Sequence, residues 1–89
     1  MGRMMMEAAE EVAGTPMQMS AENYYEMGLA YACGRSQPVD RVAAHKWFNV
    51  ALLMGFKDAA QRRAELADEM TKEEIAAALR EARAFLTRH

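Results

Sequence analysis

The chain has 89 residues, a formal net charge of −2 and one cysteine. A chain of this length forms one small domain with a limited hydrophobic core. A single cysteine excludes an intramolecular disulfide, a cysteine-based zinc site and a two-cysteine redox motif. The charge is unevenly distributed, with a net −4 over residues 1–26 and a net +2 over residues 27–89, and neither part is basic enough to predict a surface that binds phosphate groups.

Residues 1–19 are rich in methionine and glutamate and form a separate N-terminal segment. Apolar residues between Met5 and Val12 predict a thin helical stripe, and Gly14 and Pro16 end it. The alternatives for this segment are a short helix and a disordered tail. No apolar run approaches the length of a membrane span, and the start of the chain leads into glutamates instead of a signal core. We therefore expect a cytoplasmic protein without membrane contact.

Residues 20–89 are predicted to form an all-α domain of antiparallel helix hairpins. Ser20 is placed to cap a first helix, which ends where Gly34 can adopt a left-handed conformation. Asp40 is placed to cap a second helix, which runs to Gly55. These two helices form a hairpin over residues 20–55.

Two further helices are predicted over residues 58–87. The first extends from Asp58 to about Met70, with Asp58 and Gln61 at the spacing of a capping box. The second begins at Thr71 and Glu74, which have the sequence of a capping box. Its apolar face is formed by Ile75, Leu79, Ala82 and Leu86.

The two helices of the hairpin carry apolar stripes that are predicted to face each other. The stripe of the first helix consists of Tyr24, Met27, Gly28 and Tyr31, and that of the second of Ala44, Trp47, Phe48 and Ala51. The small residues let the helix axes approach closely, and the bulky residues fill the remaining volume.

This pattern resembles the Sel-one-like repeat, a short relative of the tetratricopeptide unit. The matching residues are Met27, Gly28, Tyr31, Gly34, Asp40, Ala44, Trp47, Phe48, Ala51 and Gly55. The loop departs from the family pattern, because residues 34–39 read Gly-Arg-Ser-Gln-Pro-Val where Gly-x-Gly-Val is expected. The resemblance implies one helical repeat with residues 58–87 as its capping hairpin. One repeat leaves apolar edges that another element must cover.

A second apolar stripe on the first helix indicates an interaction surface. It consists of Tyr25, Leu29 and Ala32, which lie on a different face from the first stripe. The candidates to cover it are residues 1–19, a second copy of the chain and a foreign helix. The resemblance implies that the first helix faces a ligand, so the candidate protein-binding residues are Glu22, Tyr25, Glu26, Leu29, Ala32 and Arg35. The alternative is that Tyr25 and Leu29 are ordinary core residues.

The sequence contains no motif for catalysis, phosphate binding or metalloprotease chemistry. We therefore expect no enzymatic activity, no catalytic residue, no cofactor and no metal ligand. Cys33 is predicted to be a small buried residue, and neither His45 nor His89 is predicted to be a ligand or a catalytic base. We expect the chain to be a protein-binding or adaptor module that binds a protein segment or associates with itself as a homodimer.

Two other classes of function stay open as alternatives. Met17 and Met19, with the methionines at positions 4–6, are soft ligands that suit Cu(I), although flexible packing residues are the preferred interpretation. Nucleic-acid binding would depend on Arg62, Arg63, Arg80, Arg83 and Arg88. Interspersed glutamates cancel the positive potential of these arginines. Arg62 and Arg63 are predicted to form a solvated face with Glu65 and Glu69.

Overall fold

The computed structural model describes residues 19–88, which form four α-helices. They are α1 (Ala21–Cys33), α2 (Arg41–Leu53), α3 (Ala59–Ala67) and α4 (Lys72–Arg88). No residue in this range lies in a β-strand, so the predicted all-α class is confirmed. None of the four helices is both long enough and apolar enough to cross a membrane. The helix predicted between Met5 and Val12 lies outside the described residues.

Local capping interactions determine where the helices of the first hairpin begin and end. The Ser20 hydroxyl accepts a hydrogen bond from the Asn23 N–H at 3.1 Å. The Asp40 carboxylate accepts one from the Ala43 N–H at 3.0 Å. Gly34 ends α1 with φ at 77°, a left-handed conformation that costs glycine little. All three predicted caps are therefore confirmed.

The last two helices have one predicted capping box and lack the other. At the start of α4, the Thr71 N–H donates to Glu74 at 2.9 Å, and the Glu74 N–H donates to Thr71 at 3.1 Å. The capping box predicted for Asp58 and Gln61 is wrong. Asp58 already has helical backbone angles and forms no capping bond, and the Gln61 amide donates to Glu65 instead. The predicted end of this helix is also wrong, because α3 ends at Ala67 and a turn leads to Met70.

Helices α1 and α2 form an antiparallel hairpin, and α2 packs against all three other helices, so that α3 and α4 each pack mainly against α2. The aromatic rings of Tyr24 and Trp47 stack at 5.4 Å between centroids, and Phe85 of α4 meets both rings edge-on. This contact joins α1, α2 and α4 around one aromatic cluster. The hydroxyl of Tyr24 has no hydrogen-bond partner within the described residues, and burial raises the pKa of its phenol.

The residues assigned to the repeat core occupy three kinds of position. The fully buried ones are Tyr24, Gly28, Ala44, Phe48 and Ala51. The partly buried ones are Met27, Tyr31 and Trp47. The others, Gly34, Asp40 and Gly55, lie in the turns, where Gly34 and Gly55 both have positive φ. In the loop that departs from the family pattern, Ser36 also has a positive φ of 72°.

Candidate functional site

A groove runs between α1 and α3, with Phe48 of α2 as part of its floor. It consists of two adjoining cavities of about 400 Å³ and 230 Å³, which share Arg62 and Glu65. The larger cavity is completed by Tyr25, Asp58 and Gln61, and the smaller by Leu29, Ala32, Cys33, Phe48, Leu66 and Glu69. We call this feature the α1–α3 groove. It brings together three of the predicted binding residues, Tyr25, Leu29 and Ala32.

Tyr25 forms part of the wall of the groove and is held by contacts to three elements. Its ring lies 5.7 Å from the Phe48 ring and 4.9 Å from the Phe56 ring, between centroids. Its hydroxyl accepts a hydrogen bond from the Arg62 Nε at 3.3 Å. The side chain is therefore fixed by its neighbours before any ligand arrives, which lowers the entropy cost of binding.

Negative charge dominates the groove. Its lining contains three carboxylates, those of Asp58, Glu65 and Glu69, against the single guanidinium of Arg62. Arg62 lies 3.7 Å from Glu65, and Arg41 lies 3.4 Å from Glu69, so two of these carboxylates are partly neutralised. The hydrogen bond to Tyr25 raises the pKa of Arg62, with a further contribution from Glu65. Asp58 forms no ion pair within the described residues.

The other three predicted binding residues are exposed but do not line either cavity. Glu22 and Glu26 share a face of α1 with Tyr25 and Leu29, because they lie three or four positions away along the helix. They therefore extend the negative charge along the α1 side. Arg35 lies in the loop after α1 and is not part of the groove lining.

Cys33 is exposed, so the prediction of a small buried residue is wrong. It is the last residue of α1 and lines the smaller cavity. The helical period alone does not reveal this exposure, because it depends on where α3 is placed.

A buried polar chain lies on the opposite side of α3, where Arg63 reaches toward α2. The Arg63 Nη1 donates to the Asn49 Oδ1 at 2.7 Å, so the amide nitrogen of Asn49 is left to donate to the His45 Nδ1 at 2.9 Å. His45 and Asn49 are only 3% and 1% exposed. The prediction that Arg63 belongs to a solvated face with Arg62 is therefore wrong, because adjacent helical residues point about 100° apart.

His45 is held as a neutral imidazole. Burial lowers its pKa, and the positive charge of Arg63 lowers it further. Because Nδ1 accepts the bond from Asn49, the proton of the neutral ring is on Nε2. This arrangement couples the protonation of His45 to folding.

We expect the free energy of unfolding to fall as the pH is lowered below about 6.5, the ordinary histidine pKa. The unfolded chain takes up a proton on His45 there, while the folded chain resists it until the pH reaches its lowered pKa. One proton limits the slope to about 1.4 kcal/mol per pH unit. Urea unfolding at a series of pH values between 7.5 and 5 measures this slope of the free energy of unfolding.

Two single substitutions separate His45 from the rest of the chain in that experiment. His45→Gln keeps an acceptor for Asn49 and removes the titrating group, so the slope above pH 5 should shrink. His89→Gln removes the other histidine and should leave the slope in place. An equal slope in the wild-type chain and in His45→Gln would contradict the assignment.

The structure reveals functional candidates that the sequence does not predict. The α3 wall of the groove is one, because Leu66, Glu65 and Glu69 become neighbours of α1 only through tertiary packing. The polar chain is the other. Its signal was the spacing of His45 and Asn49, four residues apart on one face of α2 between buried apolar positions.

The residues behind the two alternative functions are only partly described. Of the methionines proposed for Cu(I), only Met19 falls within the described range, where it packs partly buried against the hydrophobic core. No group of three or more His, Cys, Asp or Glu side chains within residues 19–88 is placed to hold a metal ion. Comparison with protein-family models, with curated proteins and with solved structures gives no match to this chain.

Proposed function

We propose that this chain is a binding module whose α1–α3 groove takes a protein segment with basic and apolar side chains. Its action is docking, with no covalent bond made or broken. The observation that carries this proposal is the composition of the groove, which combines an apolar floor with an excess of carboxylates at its edges. Complementary charge steers the encounter, and buried apolar contacts supply the affinity.

The charge of the groove selects a basic partner. Asp58 lines the groove, and Glu22 and Glu26 lie on the adjoining face of α1. None of these three carboxylates forms an ion pair within the described residues. A lysine or arginine side chain on a ligand would gain a favourable interaction at this end of the groove. Two acidic grooves facing each other would repel, and residues 1–19 contain three glutamates against one arginine. The charge therefore disfavours both a second copy and the chain's own start as the occupant.

The apolar part of the groove provides the anchor. Leu29 and Ala32 of α1, Phe48 of α2 and Leu66 of α3 line the smaller cavity. Leu29 and Leu66 are only partly buried, so an apolar ligand side chain would remove more of their surface from water. Cavities of this size accept one or two side chains of a ligand, not a globular surface.

We also propose that the α1–α2 hairpin is a Sel-one-like repeat and that α3–α4 is its capping hairpin. Two features support this assignment. Gly28 faces the Phe48 ring, and a Cβ at position 28 would lie 2.5 Å from a ring atom, as the small-against-large pattern requires. The first helices of the two hairpins, α1 and α3, line one groove, which is the ligand-facing arrangement that the resemblance implies.

A peptide titration tests the proposed binding function. The full chain, labelled with ¹⁵N, is titrated with three synthetic 12-residue peptides that carry Leu and Lys, Leu and Glu, or Ser and Lys at matched positions. We expect only the Leu/Lys peptide to bind, with chemical-shift changes centred on Leu29, Cys33 and Leu66. Its affinity should fall as salt is raised, because exposed charges contribute.

Matched charge variants locate the binding surface. Glu26→Gln with Asp58→Asn removes two exposed charges at the groove and should weaken binding about twofold to thirtyfold, since each exposed pair contributes about 0.2–1 kcal/mol. Glu73→Gln with Glu81→Gln removes the same charge from α4 and should change little. Equal binding of the Lys and Glu peptides would overturn the proposal. A dimer in light scattering that competes with the peptide would assign the groove to self-association instead.

A further inference from the structure

A third cavity, between α2, α3 and α4, is not explained by the α1–α3 groove. Its volume is about 360 Å³, which falls in the range of small-molecule pockets. Four of its lining residues, Ala64, Ala67, Ile75 and Leu79, are apolar, and the other two are His45 and Arg63. The cavity therefore has apolar walls and one polar end.

The polar end carries hydrogen-bond donors in a fixed arrangement. Asn49 uses its carbonyl oxygen for Arg63 and its amide nitrogen for the His45 Nδ1, so its orientation and the histidine tautomer are determined together. His45 forms no other side-chain hydrogen bond within residues 19–88, which leaves its Nε2–H as a donor. The guanidinium of Arg63 uses one nitrogen for Asn49, and its remaining N–H groups are available.

The charge of this end is a single positive unit. The ion pairs within the described residues join Arg41 to Glu69 and Arg62 to Glu65, so Arg63 has no carboxylate partner there. Its side chain is half-buried, and a guanidinium in that environment interacts more strongly with an anion than an exposed one does. With a neutral imidazole beside it, the site matches an anion of one negative charge.

We propose that this cavity binds a small monocarboxylate with a branched aliphatic body. One carboxylate oxygen accepts from Arg63 and the other from the Nε2–H of His45, while the aliphatic body packs against Ile75 and Leu79. A carboxylate has two oxygens and one charge, as this pair of donors requires. Phosphate, with a charge near −2 and no apolar part, leaves the walls of the cavity unfilled.

The test is an NMR titration of the full ¹⁵N-labelled chain with 3-methylbutanoate. Two further titrations use 3-methylbutanol, which has the same body without the charge, and inorganic phosphate. We expect the carboxylate alone to shift the resonances of Ala64, Ala67 and Leu79. Its binding should also raise the pKa of His45, followed by the imidazole resonances, because a bound anion favours the charged ring. Equal binding of the alcohol, or tighter binding of phosphate, would overturn the proposal.

Variants of the cavity separate recognition from folding. Arg63→Gln should weaken binding of the carboxylate at least about tenfold, because it removes a charge-assisted hydrogen bond. Arg80→Gln, an exposed position on α4, removes the same charge and should bind as the wild-type chain does. If Arg63→Gln does not fold, Leu79→Phe decides the question. Its larger side chain fills the cavity and should abolish binding, and retained binding would overturn the assignment.

One comparison identifies the source of the carboxylate. A tetrapeptide that ends in leucine is titrated as the free acid and as the amide. We expect the free tetrapeptide acid to bind no more tightly than 3-methylbutanoate. If it binds more tightly and its amide does not bind, the proposed small free acid is overturned in favour of a protein C-terminus.

Discussion

Replacing Phe48 with alanine is expected to lower the free energy of unfolding by about 3–5 kcal/mol, as for other large aromatic residues in closed cores. Phe48 is 1% exposed, and its ring contacts Gly28 and Tyr25 of α1. Its removal leaves a void between α1 and α2, and the floor of the groove is lost with it. Small domains have total stabilities near the lower end of about 5–15 kcal/mol. The substitution therefore removes most of the stability of the fold.

Urea unfolding followed by circular dichroism measures this effect, and Leu53→Ala provides the control. Leu53 lies on the same helix but is 66% exposed, so its truncation should change the free energy of unfolding by no more than about 0.5 kcal/mol. A loss for Phe48→Ala that is no larger than the loss for Leu53→Ala would mean that α1 and α2 do not pack through this ring.

The ends of the helices could be predicted from the sequence because the signals are local. Ser20, Asp40 and Thr71 each bond to a backbone N–H three residues further on, within a single turn. The left-handed conformation of Gly34 is likewise a property of one residue. The same local rule failed at Asp58, where the preceding turn already gives the residue helical backbone angles and its side chain forms no cap.

The two candidate sites could not be predicted in the same way, because each depends on where α3 lies. The stripe of Tyr25, Leu29 and Ala32 was visible at helical spacing, and it lies at the groove. The opposite wall of the groove could not be predicted, because no local feature of the sequence indicates that Leu66 faces α1. Arg62 and Arg63 are adjacent in sequence, yet one bonds to Tyr25 at the groove and the other to buried Asn49. Only the packed position of α3 assigns the two arginines to different sites.

The position of α3 also connects the two sites to each other. Arg62 holds the wall of the groove and Arg63 holds the polar end of the third cavity, from consecutive positions on α3. The cavity includes Ile75 and Leu79, so a ligand there would contact α4 as well as α3. A ligand in one site that shifts α3 would therefore change the other, and the coupling between them is equal in both directions.

Replacing Gly28 with alanine is expected to destabilise the fold by about 2 kcal/mol, although alanine is the better helix former. A Cβ at this position would lie 2.5 Å and 2.6 Å from two atoms of the Phe48 ring and 3.2 Å from the Ala44 carbonyl oxygen. The ring is buried and cannot move aside without displacing its neighbours. Overpacking of this kind costs about 1–3 kcal/mol, and the close contacts place it near the upper end. The higher helix propensity of alanine offsets about 1 kcal/mol of this loss of stability.

A double-mutant cycle with Phe48→Leu, measured by urea unfolding, isolates the steric cause. Leucine shortens the side chain that the new Cβ would meet, so the double variant should lose less stability than the sum of the two single losses. Contacting residues couple by about 0.5–3 kcal/mol, which sets the size of the expected difference. Ala76→Gly, at an exposed position in α4, measures the propensity term separately. If Gly28→Ala stabilises the chain, or if the cycle is additive, α1 and α2 do not approach as closely as Gly28 permits, and the floor of the groove is wider than these contacts imply.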